Sequence, residues 1–432
     1  MVEFKREVPV SGKYDVVVCG GGPAGIGASL AAAREGCKTL IIERFGFFGG
    51  MATAGYVDPM SEFAYNGSLV TGGIPWEFAN ELVKAGGGIV EEPRCNVSFN
   101  PEIYKLVAQR MLLGAGVKLM MNTFLIGAEC DDKKIKRIFV TNKSGISAIE
   151  AETFVDATGD GDLANFAGVP MLPLSERMQP GSFCFILSGV DTTTERMHII
   201  HQKNHRFNHQ AVFIRDTLFK LREEGEYVPQ FGGPWLATTL EDGCITVNMT
   251  RSAVDATNAE EYCEAECKMR EDIFRLVELI CKHVPEFKNA KIASTAPMAG
   301  VRETRRIKGV HVLTGEEYVN TVKFPDSIAR ACHPVDIHLP GDEGQKLTFP
   351  KDAGYIPYRS LITNEYKNLL VAGRAASADS EAFAAIRVQA PCMEMGQAAG
   401  IAAGLAKRQG VCVTDINTDE LVEIVRKYGS FV

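Results

Sequence analysis

Residues Tyr14–Gly25 read YDVVVCGGGPAG. The β-branched run that ends at Cys19 is typical of a buried parallel strand, and it leads directly into a Gly-x-Gly-x-x-Gly turn. An alanine-rich segment, Ile26–Glu35, then predicts a helix that ends at Gly36, and Lys38–Ile42 predicts a second strand. This order of strand, glycine turn, helix and strand within about thirty residues predicts a βαβ unit that binds a dinucleotide.

The glycines of this turn each have a physical role. Gly20 allows the tight turn, Gly22 lets the backbone approach a pyrophosphate, and Gly25 permits close packing of the helix on the strand. The N-terminus of the helix offers free N–H groups and a positive dipole to the phosphates. Glu43 ends the second strand and can accept hydrogen bonds from ribose hydroxyls. A glycine turn without a ligand is the alternative, and the complete context disfavours it.

Three later stretches favour FAD over NAD. A second glycine-rich turn, Phe45–Gly55, follows the acidic residue. NAD dehydrogenases have no need of this element, whereas flavoproteins of the glutathione-reductase superfamily use one where the chain passes the ribityl and isoalloxazine groups. Phe154–Asp162 contains Ala-Thr-Gly after a strand-like run, and Asn368–Arg374 is a strand-like run that ends in Gly-Arg.

The wider pattern resembles a known family. Matching motifs occur at Gly300–Ile307, Pro334–His338, Tyr355–Ser360 and Arg387–Gly400. With the glycine turns, they make the chain similar to FAD-dependent oxidoreductases related to the fumarate reductase and succinate dehydrogenase flavoproteins. The resemblance implies an α/β fold, in which a discontinuous Rossmann-like FAD-binding domain carries a second, α+β substrate or cap domain.

The resemblance also implies a set of cofactor contacts. The residues expected to bind FAD are Gly20, Gly22, Pro23, Ala24, Gly25, Glu43, Arg44, Gly49, Gly50, Met51, Phe124, Ala157, Thr158, Gly159, Gly373, Arg374, Glu381, Arg387 and Val388. Related proteins often tether FAD to a histidine near the second glycine turn. Phe47 and Phe48 occupy that neighbourhood here, so non-covalent FAD is expected. A single Gly-x-Gly-x-x-Gly and the lack of a suitably placed Cys-x4-Cys argue against a pyridine-nucleotide disulfide reductase.

The domain organisation follows from changes in sequence character. Residues 1–175 and 346–432 are predicted to form the FAD-binding domain, and residues 176–345 the substrate or cap domain. Near the C-terminus, small residues line up at helical spacing, and they predict close packing of this helix on a sheet: Gly396, Ala399, Gly400, Ala403 and Gly404.

Candidate catalytic residues lie in two polar motifs. Asp336 and His338 share a face of an extended segment, where a carboxylate could orient an imidazole for acid–base work. An ordinary half-buried strand is the alternative. The charged residues of the second motif could anchor a carboxylate or phosphate, or could form an interdomain salt-bridge network: Arg302, Glu303, Arg305 and Arg306. Related sequences often have an aromatic residue before Pro334, so His333 is a further candidate for proton handling.

Composition excludes several functions. A net charge of −8 argues against a nucleic-acid partner, and no apolar run is long enough to span a membrane. Twelve scattered cysteines without Cys-x-x-Cys, and no export signal, predict a reducing cytoplasm. No metal is expected at either of two groups with suggestive spacing. Cys263 and Cys267 have no nearby histidine to complete a site, and a solvated helix or loop face is the better explanation for His198, His201, His205 and His209.

The predicted activity is hydride transfer between flavin N5 and a small polar organic substrate, by a dehydrogenase or a double-bond reductase. Its electron donor or acceptor is not identified by the sequence, and a homo-oligomer is left open. Two alternatives remain: a non-catalytic flavin-binding carrier, similar to the GDP-dissociation inhibitors that share this fold, and an electron-transfer subunit of a larger complex.

Overall fold

The computed structural model describes residues 2, 5–175, 178–197, 208–339 and 344–432. His198, His201 and His205 lie outside these ranges. The helices are α1 (Pro23–Arg34), α2 (Ile74–Lys84), α3 (Pro101–Gly114), α4 (Asp162–Phe166), α5 (Val212–Glu223), α6 (Ala259–His283), α7 (Gly315–Val319), α8 (Ser380–Ile386), α9 (Gln389–Gln409) and α10 (Thr418–Lys427).

A seven-stranded sheet forms the centre of the molecule. Its strands are β1 (Val10–Cys19), β2 (Thr39–Ile42), β7 (Lys118–Met120), β8 (Phe124–Asp131), β9 (Lys134–Asn142), β10 (Gly145–Asp156) and β20 (Leu369–Val371). The order is β7-β2-β1-β10-β9-β8, and β20 pairs with the end of β10. The pairs β7–β2, β2–β1, β1–β10 and β10–β20 are parallel, whereas β8, β9 and the start of β10 form an antiparallel meander. The predicted mixed α/β fold with a Rossmann-like core is confirmed.

The glycine turn joins β1 to α1 as predicted, and α1 packs against α9. A Cβ atom on Gly396 would lie 1.9 Å from the carbonyl oxygen of Ala24, and one on Gly400 would lie 2.2 Å from that of Ala28. Small residues in α9 therefore bring two helices into backbone contact. The prediction that this stripe packs on a sheet is wrong, because α1 occupies the face that the small residues leave open.

A second, antiparallel sheet has five strands. They are β11 (Phe185–Ser188), β12 (Asn208–Gln210), β13 (Phe231–Thr238), β14 (Ile245–Thr250) and β15 (Lys291–Thr295), in the order β12-β13-β14-β11-β15. Apolar side chains of α5 and α6 share a hydrophobic core with this sheet. The residues of this core lie between Phe183 and Ala299 in the sequence, and Tyr56 also belongs to it.

Four further two-stranded ladders lie in the described ranges. They are β3 (Ala64–Tyr65) with β4 (Ser68–Leu69), β5 (Gly88–Glu91) with β6 (Asn96–Phe99), β16 (Ser327–Ala331) with β19 (Gly354–Pro357), and β17 (Val335–His338) with β18 (Gln345–Thr348). Apolar residues from Leu313 to Val335 share the main core with α1 and α9. The boundary at residues 345 and 346 stays a prediction, and the β17–β18 ladder joins residues on both sides of it.

None of the helices in the described ranges combines the length and the apolar character needed to cross a bilayer.

Candidate functional site

The glycine turn is shaped by close backbone contacts. A Cβ atom on Gly25 would lie 1.8 Å from the carbonyl oxygen of Gly20, so only glycine lets α1 begin this close to the end of β1. A Cβ atom on Gly22 would meet only the Cα of Gly50, at 3.7 Å. The outer side of Gly22 is therefore open, as the approach of a pyrophosphate requires.

Glu43 lies beside this turn at the end of β2. Its Oε2 accepts a hydrogen bond from the Gly21 amide at 2.7 Å, and its Oε1 accepts one from the Phe45 amide at 2.9 Å. Burial raises the pKa of Glu43, against the lowering effect of these hydrogen bonds. The predicted ribose acceptor thus also ties the glycine turn to the segment after β2.

The ends of β10 and β20 meet the same turn. The buried Asp156 accepts hydrogen bonds from the amide and hydroxyl of Thr158 and from the amide of Ala164. These contacts fix the Ala157-Thr158-Gly159 loop. Arg374 follows β20 and donates to the Gly159 carbonyl at 3.0 Å and to Asp160 at 2.5 Å. The predicted motifs at the ends of both strands are therefore joined by hydrogen bonds.

Two helix N-termini have the chemistry that FAD requires. Gly22 caps α1 and Val388 caps α9, and neither helix has a side-chain cap or an acidic residue in its first turn. In contrast, asparagine side chains cap α3, α6 and α10. Free N–H groups at α1 suit the pyrophosphate, and those at α9 suit the electron-rich edge of a reduced flavin. The residues present therefore fit FAD.

The remaining predicted cofactor residues lie at the edges of this region. Gly49 precedes a short 3-10 helix, Gly50–Ala52, which includes Met51. Arg44 is exposed and its guanidinium lies 5.0 Å from the Phe45 ring centre. Phe124 is 53% exposed at the start of β8. Glu381 is exposed in the first turn of α8, 4.0 Å from Lys346 Nζ.

Three arginines converge where β14, the segment after Gly300 and the N-terminus of α9 meet. Arg251 Nη1 and Arg302 Nη1 both donate to the hydroxyl oxygen of Ser182, at 2.5 and 2.8 Å. Arg387 Nη2 donates to the carbonyl of Asp336 at 3.0 Å and to Gln179 Oε1 at 3.2 Å. Arg302 was predicted from its motif, whereas Arg251 and Ser182 were not.

Burial lowers the pKa of all three arginines. It lowers the pKa of Arg251 and of Arg387 to about 10. Burial and then the charge of Arg251 lower the pKa of Arg302 to about 9. All three remain cationic at neutral pH, in a place where water compensates them poorly.

The Asp336–His338 pair faces these cations. His338 Nε2 lies 2.9 Å from Asp336 Oδ2, so the predicted juxtaposition is present. Burial would raise the pKa of Asp336, but the hydrogen bond from His338 and the charge of Arg387 outweigh it and hold the pKa below its usual range. Burial and then Arg302 lower the pKa of His338 to about 3. The imidazole is neutral at physiological pH and donates to an ionised carboxylate.

The arginines of the Gly300–Ile307 motif differ in their partners, so the salt-bridge explanation and the anion-anchor explanation apply to different residues. Arg305 pairs with Asp162 at 2.6 Å, and Arg306 lies 3.4 Å from Glu303. Arg302 donates instead to the Pro180 carbonyl and to Ser182. Arg305 and Arg306 therefore form salt bridges, whereas Arg302 has no carboxylate partner among the described residues.

His333 lies in the loop before β17. Its Nδ1 is 3.1 Å from Ser61 Oγ and 3.3 Å from Glu62 Oε2. Segment 57–62 also contacts the start of α9, because the Gln389 amide donates to the Val57 carbonyl at 2.7 Å. The predicted catalytic residues thus gather around the N-terminus of α9.

Metal binding has no support in the described part of the chain, where no group of three or more His, Cys, Asp or Glu side chains could hold an ion. Cys263 and Cys267 are exposed on α6.

Fold and site together define a flavoprotein with a dinucleotide-binding βαβ unit. A family model described as FAD dependent oxidoreductase matches residues 15–425. The chain belongs to this family and is an FAD-dependent oxidoreductase.

Individual relatives are distant or match only a short segment. A stretch of 47 residues, 11% of this chain, is 49% identical to dihydrolipoyl dehydrogenase of Trypanosoma brucei brucei, and it spans 10% of that enzyme. A stretch of 52 residues, 12% of this chain, is 42% identical to a putative bifunctional amine oxidase of Dictyostelium discoideum, and it spans 5% of that protein. Among solved structures, a flavoprotein/dehydrogenase from Cytophaga hutchinsonii is 14% identical with a TM-score of 0.50, over 96% of this chain and 83% of the other. This likeness shows the fold.

Proposed function

We propose that the enzyme transfers a hydride between flavin N5 and a small organic substrate that carries an anionic group. The observation that carries this proposal is the charge of the cluster around Ser182. Among the described residues, the carboxylate that acts on all three arginines, Arg251, Arg302 and Arg387, is that of Asp336, beside a neutral His338, and Glu303 also acts on Arg387. An excess of buried positive charge is costly unless an anion offsets it.

The positions of the arginines suggest how an anion would be held. Arg251 is buried, whereas Arg302 and Arg387 are partly exposed. Ser182 Oγ already accepts two charged hydrogen bonds, so an oxygen at this point matches the two guanidinium groups. A carboxylate or phosphate oxygen is the stronger acceptor for such donors. We expect Arg302 and Arg387 to bind the substrate anion. The buried Arg251 would add positive charge and hold Ser182, which also accepts from Arg302.

Bound FAD supplies the two-electron redox step. For oxidation of a CH–OH or CH–NH group, the C–H bond breaks and its hydrogen leaves with the electron pair. The O–H or N–H proton then needs an acceptor, and we propose His333 Nε2. The double bond to carbon forms as this proton leaves. For reduction of a double bond, His333 supplies the proton instead. His338 is a poor candidate for this exchange, since its pKa is lowered to about 3.

A binding titration tests the anion requirement. Purified protein with FAD bound is titrated with small carboxylates and with their uncharged amides, and the flavin absorption spectrum reports binding. We expect carboxylates to perturb the spectrum of the wild type but not that of Arg302→Gln. Arg305→Gln is the matched control, because Arg305 already pairs with Asp162. Equal responses to carboxylates and amides, or an unaffected Arg302→Gln variant, would contradict the proposal.

A further inference from the structure

Within the described ranges, the imidazole of His333 has hydrogen-bond partners at one ring nitrogen. Both described partners, Ser61 Oγ and Glu62 Oε2, lie at Nδ1, at 3.1 and 3.3 Å. Nε2 has no hydrogen-bond partner among the residues that the structure describes. One ring nitrogen is therefore fixed by the protein, and the other is free to meet a substrate.

The surroundings of Glu62 favour its ionised form. Burial would raise its pKa, but the hydrogen bond with His333 and the charge of Arg94 outweigh it and hold the pKa below the usual value. Arg94 Nη1 lies 3.0 Å from Glu62 Oε1, so the second carboxylate oxygen is anchored as well. The Glu62 side chain is 14% exposed and that of His333 is 23% exposed. Water therefore screens their contact only in part.

An ionised carboxylate can only accept a hydrogen bond. Because Glu62 Oε2 faces Nδ1, the proton of a neutral His333 must lie on Nδ1, and Nε2 must carry the lone pair. We infer that Glu62 is a positioning residue that holds His333 in the tautomer whose Nε2 accepts a proton. This inference rests on the proposed role of His333 in proton transfer and adds the residue that prepares it.

The backbone supports the same arrangement. Ser61 has a φ of 86°, in the left-handed region that non-glycine residues rarely adopt. Such strain persists only where surrounding contacts impose it. Here it allows two consecutive side chains, those of Ser61 and Glu62, to reach the same atom of His333.

Nitrogen NMR tests the inference directly. Protein labelled with ¹⁵N-histidine is studied with FAD bound, under alkaline conditions where imidazoles are neutral, and H333Q identifies the His333 signals. We expect the wild type to carry the proton on Nδ1. In E62Q the bias towards this tautomer should fall on the order of tenfold, because a neutral amide is a weaker acceptor than a carboxylate.

Two control variants test whether the tautomer of His333 depends on the Glu62 carboxylate or on any substitution near a histidine. Ser61→Ala removes the other contact at Nδ1 and should leave the tautomer of His333 unchanged. Glu317→Gln removes the carboxylate that lies 3.2 Å from His311 Nε2, so it should affect His311 and not His333. If E62Q loses its fold, the wild type and Ser61→Ala still test the inference, because it requires the proton on Nδ1 in both.

A wild type with the proton on Nε2, or a folded E62Q with an unchanged tautomer, would overturn the inference. The measurement needs no substrate. Failure of the proposed function would appear separately, as an H333Q variant that keeps full turnover while the wild type has the expected tautomer.

Discussion

His338 Nε2 lies 2.9 Å from Asp336 Oδ2, and this short contact joins a neutral imidazole to an ionised carboxylate. A histidine beside a carboxylate would ordinarily be the first choice for acid–base catalysis. Burial and the charge of Arg302 lower the pKa of His338 to about 3, so this imidazole does not take up a proton at neutral pH. The pair is better suited to shaping the anion site than to exchanging protons.

The low pKa of His338 predicts a loss of stability in mild acid. In the unfolded chain the imidazole takes up a proton below about pH 6.5, whereas in the folded protein it resists protonation. Stability from this group is therefore present above pH 6.5 and is lost as the pH falls. Between pH 7 and 4.5 we expect the wild type to lose about 3 kcal/mol more unfolding free energy than H338N. Urea unfolding at both pH values measures this difference, and equal losses would show that His338 is not held neutral.

Glu394 predicts a pH effect of opposite sign. Its side chain is fully buried in α9, and burial raises its pKa to about 7 despite the hydrogen bond from the Arg330 amide. Its contribution to stability is present below about pH 4.5 and is lost as the pH rises to about 7. E394Q should remove this loss, so that its stability relative to the wild type rises by about 3 kcal/mol between pH 4.5 and 8.

The control for Glu394 is Glu81→Gln, which removes an exposed ion pair with Lys84. Its stability relative to the wild type should change little across the same range, because exposed pairs contribute little. A pH dependence in E394Q that matches the wild type would show that Glu394 is ionised inside the folded protein.

The open side of Gly22 predicts a selective loss of cofactor. An added Cβ meets only the Gly50 Cα at 3.7 Å, so Gly22→Ala should fold with little change in stability. The methyl group would occupy the space through which the pyrophosphate approaches. We expect the Kd for FAD to rise at least about tenfold, a cost of about 1.4 kcal/mol.

Fluorescence titration of the apoprotein with FAD measures this Kd. Gly114→Ala serves as the control, because an added Cβ there has no neighbour within 4 Å. It should bind FAD as the wild type does. Unchanged FAD affinity in Gly22→Ala would mean that the phosphates do not approach this turn.

Local sequence was sufficient to predict the nucleotide half of the fold. The run through Gly20 and Gly25, the helix after it and the acidic end of β2 form one continuous segment, and each part has a steric or hydrogen-bonding reason visible in the residue types. The start of α3 is equally local, because the Asn100 side chain accepts hydrogen bonds from the amides of Glu102 and Ile103.

Contacts between distant segments could not be predicted so well. Arg251 follows a strand of the second sheet without any motif, and only the tertiary fold brings it to Ser182 and Arg302. Glu62 and His333 are 271 residues apart, and each has an ordinary local sequence. The small residues of α9 indicated close packing, but periodicity alone does not say whether the partner is a helix or a sheet.

The most direct test of the central claim is anaerobic reduction of the bound FAD by a panel of small organic acids and their uncharged analogues. The wild type, Arg302→Gln and Arg305→Gln are compared through the loss of oxidised-flavin absorption. We predict that at least one acid reduces the wild type and Arg305→Gln rapidly, that its uncharged analogue does not, and that Arg302→Gln reacts at least about a hundredfold more slowly, since a lost charged hydrogen bond costs roughly 3 kcal/mol. Reduction of the wild type by uncharged compounds at the same rate, or an Arg302→Gln variant that reacts as fast as the wild type, would contradict the account.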